Sequence, residues 1–117
     1  FPFSKVCKHH TLEAIDSVGL MHKLRTPIRK LSGGQQRRVA VARTLAQKPR
    51  LILADEFLAE LDEETLNMVM QKVLDYVKEN NAIMILVEHD FERAMKMADR
   101  LFTAVDGKLV EIGANGA

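Results

Sequence analysis

Leu51-Ile52-Leu53-Ala54-Asp55-Glu56 is the stretch from which the rest of the chain can be read. Four apolar residues in a row, without polar alternation, describe a short strand buried on both faces, with two carboxylates at its C-terminal tip. Strands of this kind belong to parallel sheets, which need a long crossover before the next strand. The downstream sequence supplies one. From Glu63 to Glu79 the apolar residues Leu66, Val69, Met70, Val73, Leu74 and Val77 recur at helical spacing, and Asn80 and Asn81 close the helix. Ala82 to Val87 is a second buried strand, ending at Glu88-His89-Asp90, and Asp90 is placed to cap a helix whose face is Phe91, Ala94, Met95 and Ala98. Leu101 to Val105 and Leu109 to Ile112 flank Asp106-Gly107, a dipeptide preferred in type I′ hairpin turns. Strand, helix, strand, helix, strand predicts an α/β fold with a parallel sheet and a C-terminal hairpin.

Upstream of the decisive stretch the pattern is helical. Thr11 to Val18 places Leu12, Ile15 and Val18 on one face, with Gly19 as a left-handed stop. A polar stretch broken by Pro27 follows, from Met21 to Lys30. Ser32 then reads as the N-cap of a helix from Gly33 to Gln47, ended by Pro49.

Composition bounds the rest. The 117 residues, 47% hydrophobic and 28% charged, describe one modest globular piece that can bury a core. The longest uncharged apolar run, Ala82 to Val87, is far too short to span a bilayer, and Phe1 to His10 lacks the apolar run of a signal peptide. The missing initiator Met predicts a piece of a longer chain or a trimmed product. A single cysteine, Cys7, makes no internal disulfide, in keeping with a reducing compartment. Cys7, His9 and His10 resemble a metal cluster only superficially and are read as incidental. The net charge of +1 is unevenly spread: Ser17 to Ala54 holds nine Lys or Arg and no acid, Asp55 to Glu64 six acids and no base. The basic block alternates with apolar helix positions rather than aromatics, and no nucleic-acid-reading motif accompanies it. Both points argue against a nucleic-acid partner and for an anion-facing or partner-facing surface.

Chemistry concentrates at four places. Ser32-Gly33-Gly34 opens a helix, where unpaired N–H groups and the positive end of the helix dipole favour an anion; Ser32 adds a hydroxyl, and Gln35 can bond a ribose or phosphate. The same residues can equally be a cap and a loop. Asp55 and Glu56 at a strand tip can support Mg²⁺ through water and polarise an attacking water, or be two solvated acids. His89 can contact a terminal phosphate or be structural, and Asp62 can be a plain helix N-cap.

The order of these elements decides between the alternatives. The chain resembles the ATP-binding cassette (ABC) ATPases over roughly residues 11 to 113. Leu31-Ser32-Gly33-Gly34-Gln35, continuing through Pro49, matches the signature motif and its helix, and Leu51 to Glu56 matches Walker B with the catalytic glutamate. Leu61-Asp62 matches the D-loop and Val87-Glu88-His89-Asp90 the H-loop. The resemblance implies a partial RecA-like P-loop NTPase core at 48–117 and part of the helical subdomain at 1–47. It also implies ATP and Mg²⁺ as cofactors. Ser32, Gly33, Gly34 and Gln35 would bind nucleotide in trans, Asp55 would support Mg²⁺, Glu56 would act as general base, His89 as γ-phosphate sensor and Asp62 as cross-dimer communicator.

The phosphate-wrapping sequence GxxxxGK[ST] is absent: the one Gly-Lys pair, Gly107-Lys108, is followed by Leu109 and has Phe102 where the first glycine belongs. The adenine-stacking aromatic and a Q-loop are missing too, and Phe1-Pro2-Phe3 does not replace them. Phe57-Leu58 stands where the family carries Pro-Thr, and Glu60 where a small D-loop residue is common. The expectation is therefore the C-terminal half of a transporter's ATP-binding subunit, inactive alone. Its partners would be a Walker A-containing half or second cassette and membrane-spanning transporter subunits, and its place the cytoplasmic face of the membrane. A non-transport cassette of the translation or DNA-repair type and a non-hydrolysing regulatory half-cassette are the alternatives. In the family's sheet the H-loop strand lies between the Walker B and Walker A strands, so here Ala82 to Val87 loses a neighbour. Its open edge would pair with another copy or a complementary half, or the last strands would rearrange to fill the gap.

Overall fold

The structure, a computed structural model, describes residues 5–113, with side chains described from residue 8 onward. Phe1-Pro2-Phe3, the Cys7 side chain and the tail 114–117 thus lie outside the described residues. The elements run α1 (Lys5–Ser17), two 3₁₀ turns (Met21–Lys23 and Ile28–Lys30), α2 (Gly33–Ala46), β1 (Leu51–Asp55), α3 (Glu63–Glu79), β2 (Ile83–Val87), α4 (Phe91–Met97), β3 (Leu101–Val105) and β4 (Lys108–Ile112). They fall into two compact units, one ending at Leu86 and the other beginning at Val87.

In the first unit, α1 packs on α2. The turn between α1 and the first 3₁₀ segment needs Gly19: its φ is +72°, and a Cβ there would stand 3.0 Å from the Met68 Cε. Arg38 of α2 donates through Nη1 to the Val18 carbonyl (3.1 Å), tying the helix to the end of this turn. Ala14, Val18 and Leu20 from one side and Ala42, Leu45, Ile52, Leu58, Val69, Val73 and Tyr76 from the other make the buried core. The α2 helix ends at Gln47, with Lys48 in the left-handed region (φ 52°) just before Pro49. Asn81, at φ 51°, plays the same part after α3. Tyr76 is anchored at both ends: its ring packs in the core, while its hydroxyl donates to the Pro49 carbonyl at 2.7 Å. Burial raises the Tyr76 phenol above its ordinary range.

β1 and β2 are hydrogen-bonded neighbours joined by α3, the β-α-β crossover that parallel strands require. The continuous apolar runs predicted strands covered on both faces; the structure covers one. Ile52 is 6% exposed, but Leu51 and Leu53 on the opposite pleat are 51% and 73% exposed, and Ile83 and Ile85 are 64% and 57%. Alternate residues of a strand point to opposite faces, and among the described residues of this unit no element lies over the second face.

In the second unit, β3 and β4 pair antiparallel from Leu101 opposite Ile112 to Val105 opposite Lys108. Asp106 (φ 49°) and Gly107 (φ 75°) give the two positive φ values of a type I′ turn. Arg100 forks onto Glu111 at 3.0 and 3.1 Å, and these hydrogen bonds hold the Glu111 carboxyl below its usual range. The hairpin is a two-stranded sheet of its own among the described residues. In α4 the buried residues are Ala94 and Met97, while Phe91 and Met95 are 56% and 45% exposed. That corrects the predicted face: the helix stops at Met97, leaving Ala98 in extended backbone.

Candidate nucleotide-binding site

The start of α2 is built by a reciprocal pair of hydrogen bonds. The Gln35 N–H donates to the Ser32 Oγ (3.1 Å), and the Ser32 N–H donates to the Gln35 Oε1 (3.0 Å), a complete capping box. Two consequences follow for an incoming anion. Ser32 accepts in the cap and so keeps its own O–H hydrogen for another acceptor. The Gln35 carbonyl, by contrast, is already committed to Ser32. The N–H groups of Gly33 and Gly34 have no intrahelical acceptor in the first turn and carry the positive end of the dipole. A Cβ on Gly33 would meet nothing within 4 Å. The chain's own packing therefore does not demand glycine here. On Gly34 a Cβ would lie 3.6 Å from the Glu60 carbonyl and 3.7 Å from Leu61 Cδ2, which brings the loop after β1 to the first turn of α2.

That loop has a strained backbone. Glu56 and Glu60 both adopt left-handed conformations, at φ 49° and 66°, unusual for residues with side chains. Between them the Ala59 N–H donates to the Glu56 carbonyl (3.1 Å), and Leu58, 1% exposed, pins the turn to the core. Arg37 of α2 donates to Glu60 Oε2 at 3.4 Å. The Phe57-Leu58 departure is thus absorbed by burying Leu58, and the Glu60 departure by an ion pair to α2. Neither Arg37 nor Arg38 was singled out by motif reading; the acid-free basic block of α2 facing six acids after β1 was the available signal.

Asp55 sits exposed at the tip of β1 and lines, with Arg37, Thr44, Phe57 and Met84, an open apolar cavity of about 250 Å³ between α2 and the β1–β2 pair. Among the described residues no three His, Cys, Asp or Glu side chains gather as a metal cluster. A strand tip whose carboxylates belong to no such cluster fits Mg²⁺ that keeps most of its waters and arrives with phosphate oxygens, and does not fit an ion caged by this chain alone. Asp62 is an N-cap: its Oδ2 accepts from the Thr65 N–H (3.2 Å), and hydrogen bonds from Thr65 lower the carboxyl below its ordinary range. Near the N-terminus His9 pairs with Glu13 at 3.4 Å.

The second unit carries His89, in the short loop between β2 and α4. Asp90 caps α4 by accepting from the Arg93 N–H (3.1 Å).

Against known proteins, the family model described as ABC transporter matches residues 5–59. Over 114 residues, 97% of this chain and 44% of the relative, the chain is 40% identical to the phosphonates import ATP-binding protein PhnC 3 of Nostoc sp. strain PCC 7120. It is 41% identical over 108 residues to the lipoprotein-releasing system ATP-binding protein LolD of Zymomonas mobilis, covering 92% of this chain and 46% of that one. Both relatives are ABC transporter ATP-binding proteins, and the chain is similar to them along nearly its whole length. It also superposes on MJ1267, an ATP-binding cassette of an ABC transporter, with a TM-score of 0.80 at 22% identity over 99% of this chain and 46% of that chain. At that identity the superposition speaks for the ABC fold alone. The chain spans less than half the length of each of these ABC relatives. No helix among its described residues is long and apolar enough to cross a membrane.

Proposed function

We propose that this chain is the signature, Walker B, D-loop and H-loop portion of an ABC transporter's ATP-binding subunit, completing an ATP site whose phosphate loop lies on another polypeptide segment. The observation that carries the reading is the first turn of α2. A complete capping box leaves the Ser32 hydroxyl and the Gly33 and Gly34 N–H groups presented together, beside a glycine that nothing in the chain crowds. Such a turn receives a phosphate edge from outside.

In this reading Ser32, Gly33 and Gly34 bind the γ-phosphate side of ATP held by a second cassette. Gln35 acts chiefly by fixing Ser32. Asp55 would hold Mg²⁺ through water, the ion supplying charge neutralisation at the phosphates; Glu56 would accept a proton from the attacking water, His89 would bond the terminal phosphate, and Asp62, while capping α3, would report across the dimer. The relatives' names speak for transport: one is a phosphonates import protein and another belongs to a lipoprotein-releasing system. Membrane-spanning subunits and a cytoplasmic-face location belong to the same proposal.

The greater length of the relatives also suggests an occupant for the bare sheet face. Leu51, Leu53, Ile83 and Ile85 form an uncovered apolar surface, and the relatives are more than twice as long as this chain. We assign that surface to a Walker A-bearing half of the same kind of domain. The test is reconstitution: the purified chain alone turns over ATP negligibly, and mixing with a Walker A-containing half restores Mg²⁺-dependent hydrolysis that Glu56→Gln abolishes. Robust hydrolysis by the chain alone, or none in the mixture, overturns the proposal.

A further inference from the structure

His89 is flanked by two carboxylates, and one guanidinium holds both. Glu88 Oε1 accepts from the Asp90 N–H at 3.0 Å and from Arg93 Nη1 at 3.3 Å. The other arm of the same guanidinium, Nη2, lies 3.7 Å from Asp90 Oδ2, while the Arg93 N–H donates to Asp90 Oδ1 at 3.1 Å. Residues 88 to 90 are thereby closed into a loop with His89 at its apex, braced by side chains against the first turn of α4.

The Glu88 and Arg93 pair differs from the other ion pairs described in this chain. The Glu88 side chain is 6% exposed and that of Arg93 26%, whereas Arg37 and Glu60 are 38% and 70% exposed, and Arg100 and Glu111 are 69% and 49%. Exposed pairs fix little, because water and salt compete with them. A carboxylate withdrawn from water must be satisfied by neighbours, so its geometry is enforced. The second oxygen, Glu88 Oε2, is buried with no hydrogen-bond partner. Burial of a charge with half its acceptor capacity unmet is a cost that the α4 cap alone does not explain, since Asp90 performs that cap with its own carboxylate.

We infer that Glu88 and Arg93 are positioning residues for His89, a clamp that holds the imidazole-bearing loop in one geometry before ATP arrives. The inference rests on the role proposed above for His89. Both act through the loop they brace and not as nucleotide ligands. Their effect is to remove the freedom of a three-residue loop, so that His89 meets the phosphate without first being ordered.

The experiment uses the full 117-residue chain and two readouts. By amide hydrogen exchange and ¹H–¹³C NMR, Glu88→Ala raises exchange at the Asp90 amide at least tenfold and shifts or splits the His89 ring signals. Glu88→Gln, which keeps a carbonyl acceptor, stays within about twofold of wild type. Arg93→Lys, which keeps the charge but loses the fork, gives an intermediate rise. Cross-strand amides of Leu101–Ile112 monitor the unit's integrity, so that general unfolding is separated from loss of the clamp. In the reconstituted mixture Glu88→Ala lowers kcat about tenfold with KM for ATP within twofold, and Glu88→Gln restores most of kcat. Wild-type exchange at Asp90 and wild-type His89 signals in both Glu88→Ala and Arg93→Lys overturn the clamp, as does an unchanged kcat in Glu88→Ala. An inactive wild-type mixture refutes the proposed function instead, and the exchange readout still decides the clamp.

Discussion

Ser32 shows how one residue carries two separable duties. Its Oγ accepts from the Gln35 N–H and caps α2, while its O–H hydrogen is available to an incoming phosphate. Ser32→Ala removes both and is expected to cost about 1 kcal/mol of stability, read as a lower midpoint in chemical denaturation. Ser32→Asp keeps the cap but sets a negative charge beside the phosphate, so the midpoint holds while reconstituted ATPase activity falls at least tenfold. Gly33→Ala makes the complementary point. Nothing within 4 Å of the added Cβ resists it, so folding is unaffected, and lost activity then reports a partner's approach. Glu60 offers a gain. Its φ of 66° favours glycine, and its ion pair with Arg37 is exposed. Glu60→Gly is thus expected to stabilise the chain by about 0.5–1 kcal/mol, seen as a rise in Tm.

At the scale of elements, α3 was legible to the residue: apolar spacing, the Asp62 cap and the paired asparagines fix Glu63–Glu79. The hairpin was equally plain, because Asp-Gly supplies two positive φ values cheaply. What the sequence hid were the contacts between elements. The Tyr76 bond to Pro49 joins residues 27 apart, and no local pattern encodes it. Tyr76→Phe leaves the Pro49 carbonyl short of a donor and is expected to cost about 1 kcal/mol, measurable by urea denaturation. The Asp62 cap gives a pH test. Its carboxyl titrates lower in the folded chain than in the unfolded one, so its stabilisation is complete above the ordinary carboxylate range, about pH 4, and is lost as the pH falls through the lowered value. Asp62→Asn, which cannot ionise, should flatten that part of the stability profile in a pH series of thermal melts. The Glu88, Asp90 and Arg93 network was half legible: the i, i+3 spacing of Asp90 and Arg93 lies in the sequence, but burial of Glu88 does not.

For the whole molecule, the four ordered motifs made the family and the α/β class readable, while two apolar strands were over-read as doubly covered. A run such as Leu51 to Ala54 encodes two buried faces, and one of the covering layers is not among the described residues. The chain alone is therefore expected to rise in apparent molar mass with concentration in light scattering, and Leu53→Glu with Ile85→Glu to suppress both that rise and capture by a Walker A-bearing half. A clean monomer at high concentration would count against an adhesive face. The same bare face has a cellular meaning. Chaperones and proteases recognise exposed apolar β surface as unfinished folding, so these 117 residues expressed by themselves should be short-lived. Their half-life with and without a co-expressed Walker A-bearing segment then measures how completely that segment covers the face.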